Sequence, residues 1–366
     1  MKIIQIASFE ERVPPKKYGG IELVVYNITQ ELVRRGHDVY LIASGDSQTK
    51  AKLLTVFPKA LRTYAKAQDM RTRDSLKFIG IGKVLEYLKN IDADIIHNHL
   101  GWRLLPFSPI IKTPIVTTLH GPLYVDYQKL VYGKFKKAKY ISISKNQREP
   151  FPNLNYVGTV YNAIDIDKFD FSEKKGDYFA FLGRMSPEKG PVQAIQIAKR
   201  AGIKLKMAAK VDVVDKDFFE EKVKPLIDNK QVEFVGEIGP KEKNDFLKNA
   251  IGLISPIQWR EPFGLFFIEA MACGTPVIAF RRGSVPEIIK NGETGFVVAP
   301  FNEKGKPNIQ EFALAVKKIY QMPESEYKKM RNNCRKHIEK NFTIDKMVDN
   351  YEKIYHKILS RQQKIK

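Results

Sequence analysis

Cysteine is nearly absent: Cys273 and Cys334 are the two among 366 residues. They form no metal-ligand spacing, so neither a disulfide framework nor a structural zinc site organises the chain. Long apolar runs are missing too. Nothing approaches the roughly 20 consecutive apolar residues of a membrane-spanning helix, and the opening Met1–Ala7 is too short for the apolar core of a leader peptide. The expected compartment is the cytosol. The first strand-to-helix turn lacks the Gly-x-Gly-x-x-Gly of dinucleotide-binding enzymes. Asp92-Ala93-Asp94 runs straight into an apolar segment and reads as a turn and strand edge rather than a metal-binding pair.

Negative charge is the other shortage. Against 62 basic residues stand 41 acidic ones, a formal +21, which draws anions such as nucleic acid, anionic lipid or a phosphorylated substrate. The first 165 residues carry 25 basic and 14 acidic groups and the remainder 37 and 27, so no basic tail exists. No nucleic-acid-binding module accompanies the charge, which disfavours that partner. Residues 50–89 hold ten Lys or Arg against Asp69, Asp74 and Glu86, and residues 129–139 interleave lysines with Leu130, Val131, Tyr132 and Phe135. A solvated helix face is the plain reading of both. Peripheral contact with an anionic membrane, or with a phosphorylated acceptor, is the functional one.

What is present is an alternation of short apolar runs and helical segments, long enough for two domains with separate cores. Lys2–Ala7 reads as a buried strand, Ile21–Arg35 as a helix stopped by Gly36, and Asp38–Ala43 as the returning strand. Further strands are expected at 94–97, 114–119, 140–144 and 156–161, followed by a polar linker over 167–177. The second half restarts with a strand at 178–182, a helix at 192–201, and strands at 204–210 and 232–236 around a helix at 218–227. A strand ending at 298 and helices over 309–320, 324–342 and 345–359 complete it. Ser284-Val285-Pro286-Glu287 has capping-box spacing, which makes Glu287 structural. This order predicts an α/β protein with two Rossmann-like, doubly wound parallel sheets, whose strand-end loops bind ligands.

The densest chemistry lies between Ser255 and Ala279. Pro262 and Gly264 punctuate a loop, and Leu265–Ala272 reads as a helix that is apolar on every side except at Glu269. A carboxylate there requires a hydrogen-bonding partner, in the protein or in a ligand. The amides of Phe263, Gly264 and Leu265 fall at the helix start, where they favour an anion near Glu261 and Glu269. A helix cap and an internal salt bridge would explain the two glutamates equally well on local grounds. Arg184 and Lys189, in the loop 183–190 after a strand, offer two positive charges suited to a diphosphate. His120 stands at a strand end beside Gly121 and Pro122, and Gly19-Gly20 allows close backbone approach in the first strand-to-helix loop.

Glu261-Pro262-Phe263-Gly264 through Glu269-Ala270-Met271-Ala272-Cys273-Gly274-Thr275-Pro276-Val277-Ile278-Ala279 resembles the Glu-x7-Glu signature of the retaining glycosyltransferases of family 4, which have the GT-B fold. The resemblance covers nearly the whole chain and is weakest over residues 46–90. It implies two Rossmann-like domains facing a central cleft: an acceptor-side domain over 1–165, with the C-terminal helix 343–366 packed back on it, and a nucleotide-sugar domain over 166–342. Arg184 and Lys189 match the family's diphosphate-binding pair, and Glu269 its ribose-binding glutamate. Glu261 and the backbone at Phe263, Gly264 and Leu265 match the segment that holds the sugar hydroxyls. His120 corresponds to the histidine near the donor sugar, Gly19-Gly20 to the loop facing donor phosphates and acceptor, and Glu237-Ile238 to the base-binding loop. Lys210, at a strand end, is a further donor-site candidate. Asn162-Ala163-Ile164-Asp165 resembles the interdomain Asn-Gly-Ile-Asp, with alanine in place of a glycine. Alanine tolerates positive φ poorly, so a different hinge backbone is expected.

The activity implied is retaining, metal-independent transfer of a hexose, glucose or a relative, from a nucleoside diphosphate sugar to an unidentified small-molecule, glycan or lipid acceptor. A UDP-sugar is the expected donor, and no cofactor beyond it is expected. His120, Glu261, Arg184 and Lys189 are the catalytic candidates, with Glu261 not acting as a covalent nucleophile. A nucleotide-sugar epimerase on the same fold and a non-catalytic scaffold subunit are the alternatives.

Overall fold

The computed structural model describes residues 1–17, 19–67 and 69–363. Tyr18, within the loop expected over 13–20, and the last three residues of the expected C-terminal helix lie outside the described residues. The chain divides into two compact units, residues 1–163 with the chain from 344 onward, and residues 164–343.

In the first unit, near-continuous apolar runs become strands buried on both faces, as parallel sheets require: Ile3, Ile4 and Ile6 are fully buried. The strands are β1 (Lys2–Ile6), β2 (Asp38–Ala43), β3 (Lys52–Thr55), β4 (Ile95–Asn98), β5 (Ile115–Leu119), β6 (Lys139–Ser142) and β7 (Tyr156–Thr159), in the order β3-β2-β1-β4-β5-β6-β7. Every pairing is parallel. The helices are α1 (Gly20–Arg34), α2 (Met70–Asn90), α3 (Asp126–Lys134) and the C-terminal helix (Ile344–Gln363). That last helix is fastened to α1 by charge: Arg35 donates to Glu31, Asp349 and Glu352, and Arg34 to Glu31 and Asp345. Its Tyr351 and Tyr355 are fully buried.

The second unit repeats the plan with β8 (Tyr178–Arg184), β9 (Leu205–Lys210), β10 (Val232–Gly236), β11 (Ala250–Ser255), β12 (Val277–Phe280) and β13 (Gly295–Val298). Their order is β10-β9-β8-β11-β12-β13, again all parallel. Its helices include α4 (Pro191–Ala201), α5 (Pro240–Lys248), α6 (Leu265–Ala272), α7 (Ile309–Tyr320) and α8 (Glu324–Asn341). Strand order reverses between β1 and β4 in one sheet and between β8 and β11 in the other. Crevices outside the carboxyl ends of strands at such reversals are where open α/β sheets bind ligands.

Several local expectations differ from what is found. The helix expected over 218–227 is broken into a short α turn, a π turn over Phe219–Val223 and a 3₁₀ turn over Lys224–Leu226. Pro225 explains the break, since it has no amide hydrogen and its ring crowds the preceding turn. Strands expected to reach Ser144 and Tyr161 stop at Ser142 and Thr159. The polar run 167–177 is not a free linker: Ser172 N–H donates to Cys273 O, and Lys175 Nζ to Tyr320 O. Ala163 is buried and is not among the residues of positive φ, where Asn229 stands as the non-glycine example. The chain therefore passes position 163 in a conformation open to any residue. Ser284 does not cap the turn that follows it.

Arg331 of α8 is fully buried, and among the described residues no carboxylate pairs with it. Its guanidinium instead donates to the carbonyls of Ser172, Lys248, Ala250 and Cys273 and to Tyr327 Oη. It thereby satisfies carbonyls from the 167–177 segment, the start of β11 and the ends of α5 and α6. Arg331→Met should strand these acceptors and lower the unfolding free energy of the second unit by about 3 kcal/mol or more. Urea denaturation followed by a second-unit fluorescence probe measures this.

Candidate active site

The site of the second unit is built on the two strands flanking its reversal. β8 ends at Arg184, and the loop after it carries Lys189. Gly190 closes that loop at φ +75°, and a β-carbon there would stand 2.2 Å from Pro256 O, so the loops after β8 and β11 touch through a position that only glycine fits. A backbone hydrogen bond ties the same two loops together, with Gln258 N–H donating to Glu188 O at 2.8 Å.

Across this seam Lys189 Nζ donates to Glu261 Oε2 at 2.5 Å, and Trp259 Nε1 donates to the same oxygen at 3.0 Å. The ammonium also lies 5.0 Å from the Trp259 ring centre and 5.3 Å from that of Phe266, a cation–π setting that holds the cation without further carboxylates. Glu261 is 7% exposed. Arg184 meets Glu188 in a short ion pair and Asp215 at 3.5 Å. Burial pushes the Asp215 carboxyl up, and Arg184 opposes this.

Gly264 caps α6 at φ +85°, leaving the Phe263–Leu265 backbone at the helix start. The loop after β12 clamps this segment: Ser284 N–H donates to Glu261 O, Ser284 Oγ to Phe263 O at 2.7 Å, and Arg282 to Gln258 O. Ser284, read from the sequence as a cap, thus supports the glutamate loop. Nothing in its local spacing could have shown this. Glu269, 5% exposed, finds its partner in the protein, accepting from Lys243 Nζ of α5 at 2.5 Å. Lys243 was missed because the two residues, 26 positions apart, are brought together only by the tertiary fold.

Lys210 ends β9 and lies 3.6 Å from Asp212. Exposed Glu237 and half-buried Ile238 follow β10, at the edge of the same sheet. The structure thus brings Arg184, Lys189, Glu261, Phe263 and Gly264 onto the adjoining ends of β8 and β11 and their loops, with Leu265 and Glu269 in α6 directly after, and Lys210, Glu237 and Ile238 on the next strand ends along.

The first unit places Gly19-Gly20 between β1 and α1, at its own reversal, and His120 after β5, one strand beyond β4. Gly19 precedes α1 and Gly20 begins it. Glu22, in the first turn of α1, is buried and accepts a short hydrogen bond from Ser8 Oγ after β1. Burial lifts its carboxyl above the usual carboxylate range, against that hydrogen bond. His120 follows β5, and its Nε2 lies 2.8 Å from His99 Nδ1. Glu22, His97 and His99 were not singled out from the sequence; the available signal was polar residues recurring inside otherwise apolar, buried runs. A cavity of about 240 Å³ lies away from all these groups, at the amino ends of β5 and β6, lined in part by Lys112, Ile115 and Lys139.

Comparison with known proteins decides the family. The model described as "Glycosyl transferases group 1" matches residues 163–338, and that described as "Glycosyltransferase Family 4" matches residues 18–168. This chain belongs to the group 1, family 4 type glycosyltransferases. An uncharacterised glycosyltransferase of Methanocaldococcus jannaschii is 26% identical over 345 residues, covering 82% of this chain and 86% of its own. Among solved structures, sucrose-phosphate synthase of Thermosynechococcus elongatus is similar at a TM-score of 0.79 and 18% identity, over 99% of this chain and 100% of the other. Anabaena HepE in complex with UDP and glucose is similar at 0.73 and 18%, over 96% and 98%. The fold is GT-B, with two parallel-sheet α/β units, and the glycosyltransferase acts on nucleotide sugars.

Among the described residues of this glycosyltransferase, no helix is long and apolar enough to cross a membrane. Burial lowers His97 and His99 well below the ordinary imidazole value of 6.5 and His120 to about 4. These rings are neutral in the fold, so as pH falls below 6.5 the unfolded chain takes up protons that the folded chain refuses. Their contribution to stability is complete above pH 6.5 and falls as pH drops from there, for His120 down to about 4. The melting temperature of the first unit should fall across this window, and a His120→Asn variant should show a shallower fall in the same calorimetric series.

Proposed function

We propose that this glycosyltransferase moves a hexose from a UDP-sugar to an acceptor hydroxyl with retention at the anomeric carbon. The observation that carries the reading is the pairing of Lys189 with Glu261 beside Arg184 at the sheet reversal. Lys189 and Arg184 are held there by carboxylates that a nucleoside diphosphate can replace, with the amides at the start of α6 following Glu261 in the chain. A diphosphate competes with Glu188 and Asp215 for Arg184, and it gains from Lys189 and the helix amides as negative charge builds on its leaving oxygen. In this reading Glu269 takes the ribose hydroxyls, Glu261 and the backbone at Phe263–Leu265 the sugar hydroxyls, and Glu237-Ile238 the base. Lys210 lies next along the sheet as a further anion contact. The bound UDP and glucose of HepE support a uridine donor.

The bond from the anomeric carbon to the β-phosphate oxygen breaks, and the acceptor oxygen bonds to that carbon on the same face. The acceptor proton passes to the departing diphosphate, so UDP and the glycoside are the products. In the first unit, His120 is the candidate contact for a sugar hydroxyl, and Gly19-Gly20 is a loop that a phosphate or an acceptor can approach closely. Protein cations carry the charge in place of a metal ion. Release of UDP only when acceptor is present separates transfer from epimerisation, and turnover itself separates it from a scaffold role. A panel of UDP-, GDP- and ADP-sugars, followed by thermal shift and donor hydrolysis, should single out a UDP-sugar. Lys189→Ala should reduce donor turnover by a factor of about 100 or more, on the order expected for loss of one charge-stabilising group.

A second observation supports peripheral contact with anionic lipid. Met70, Phe78 and Ile79 of α2 and Tyr127 and Leu130 of α3 are exposed among the lysines and arginines of residues 50–89 and 129–139. Apolar side chains set in basic surface suit a phospholipid interface. The protein should sediment with phosphatidylglycerol vesicles and not with phosphatidylcholine vesicles, and Phe78→Ser with Leu130→Ser should abolish sedimentation without changing the fold.

A further inference from the structure

His120 is the outer end of a continuous line of buried hydrogen bonds that crosses the first unit to the C-terminal helix. His120 Nε2 lies 2.8 Å from His99 Nδ1, and His99 Nε2 lies 2.9 Å from Gln5 Oε1. Gln5 Nε2 donates to Tyr355 Oη at 3.4 Å, and Tyr355 Oη lies 2.6 Å from His97 Nδ1. His97 Nε2 in turn lies 2.7 Å from Thr118 Oγ1, which donates to Tyr351 Oη at 3.4 Å. Gln5, His97, Thr118, Tyr351 and Tyr355 are fully buried and His99 is 3% exposed.

The amide of Gln5 sets the direction of the whole line. Its nitrogen faces Tyr355, so its oxygen faces His99 and can only accept. His99 therefore carries its proton on Nε2. As a neutral ring it presents a bare Nδ1, and His120 must donate to that atom from Nε2. On the other side Tyr355 accepts from Gln5 and gives its own proton to the bond with His97 Nδ1. His97 then donates from Nε2 to Thr118, and Thr118 to Tyr351. The ring protons are thus ordered from the strand-end loop to the C-terminal helix.

We propose that Gln5, His99 and Tyr355 are positioning residues that fix His120 in the Nε2–H tautomer, leaving Nδ1 as the hydrogen-bond acceptor it offers to a ligand. An acceptor nitrogen recognises a hydroxyl and repels a phosphate oxygen, so His120 serves a sugar or acceptor hydroxyl rather than the diphosphate. This rests on the glycosyltransfer reading for its consequence but not for its geometry. Reversing the Gln5 amide would reverse each bond in turn and make His120 Nδ1 a donor. Tyr355 Oη is the partner that satisfies the Gln5 amide nitrogen in its present sense, so its loss leaves that nitrogen unmatched and frees the amide to turn over.

The test is the protonation state of the ring nitrogens in the full-length protein, labelled with ¹⁵N-histidine and assigned through a His120→Asn difference spectrum. The expected result is a proton on Nε2 of His120 and of His99 at about pH 7.5, where the neutral rings are fully populated. Tyr355→Phe should give a mixture of His120 tautomers and lower kcat about tenfold with the KM for donor nearly unchanged, a loss within the range for a misplaced proton-bearing group. Gln5→Glu still accepts from His99, so it should keep the Nε2–H tautomer and most of kcat. A proton on Nδ1 of His120 in the unsubstituted protein overturns the proposal. So does an unchanged tautomer in Tyr355→Phe, or an equal loss of kcat in Gln5→Glu. Should the tautomers be as stated while no nucleotide sugar is turned over, the ordered line stands and the glycosyltransfer reading falls.

Discussion

Two carboxylates lie in a loop and helix that are otherwise among the most apolar parts of the chain, and each is held by one lysine from another element. Lys189 reaches Glu261 from the loop after β8, and Lys243 reaches Glu269 from α5. Without these partners the charges could not be buried, since an isolated carboxylate loses its hydration and gains nothing. The surrounding architecture follows from keeping both pairs in place. Gly190 lets the two strand-end loops meet, Gly264 turns the chain into α6, and Ser284 holds the intervening carbonyl.

The first unit solves a related problem with neutral groups. Its buried histidines, glutamine and tyrosines are matched donor to acceptor, so they need no counter-charge. A polar network of this kind is stable only when complete, because each unmatched member inherits the full desolvation cost. The second unit uses the same rule at Arg331, where a permanent cation is surrounded by carbonyl dipoles in place of an anion.

Repeated strand–helix order made the two parallel sheets readable, because apolar runs such as Ile3–Ile6 have one stable use, as strands covered on both faces. The loop glutamates were readable because a charge in an apolar run demands explanation. What supports them was not. Lys243, Ser284 and the partners of His120 come from distant parts of the chain, and nothing in the local pattern of Ser284-Val285-Pro286-Glu287 distinguishes a helix cap from a hydroxyl that bonds Phe263 O. Gln5 sat in plain view as the polar residue of an apolar strand, but its role depends on Tyr355, 350 positions away. The break at Pro225 was legible in principle, and the longer apolar pattern around it outweighed it.

The first unit is discontinuous in sequence, and its core includes Tyr351 and Tyr355 from beyond the second unit. During synthesis the second unit, residues 164–343, is contiguous and can close its core as soon as it has left the ribosome. The first sheet emerges earlier yet waits for side chains made last. Domains ordinarily fold in the order they are made; here the polar groups at Gln5 and His97 of the amino-terminal sheet find their partner Tyr355 only when the last-made helix is available. A released chain cut after residue 343 would therefore carry the whole second unit and a first one that lacks Tyr351 and Tyr355.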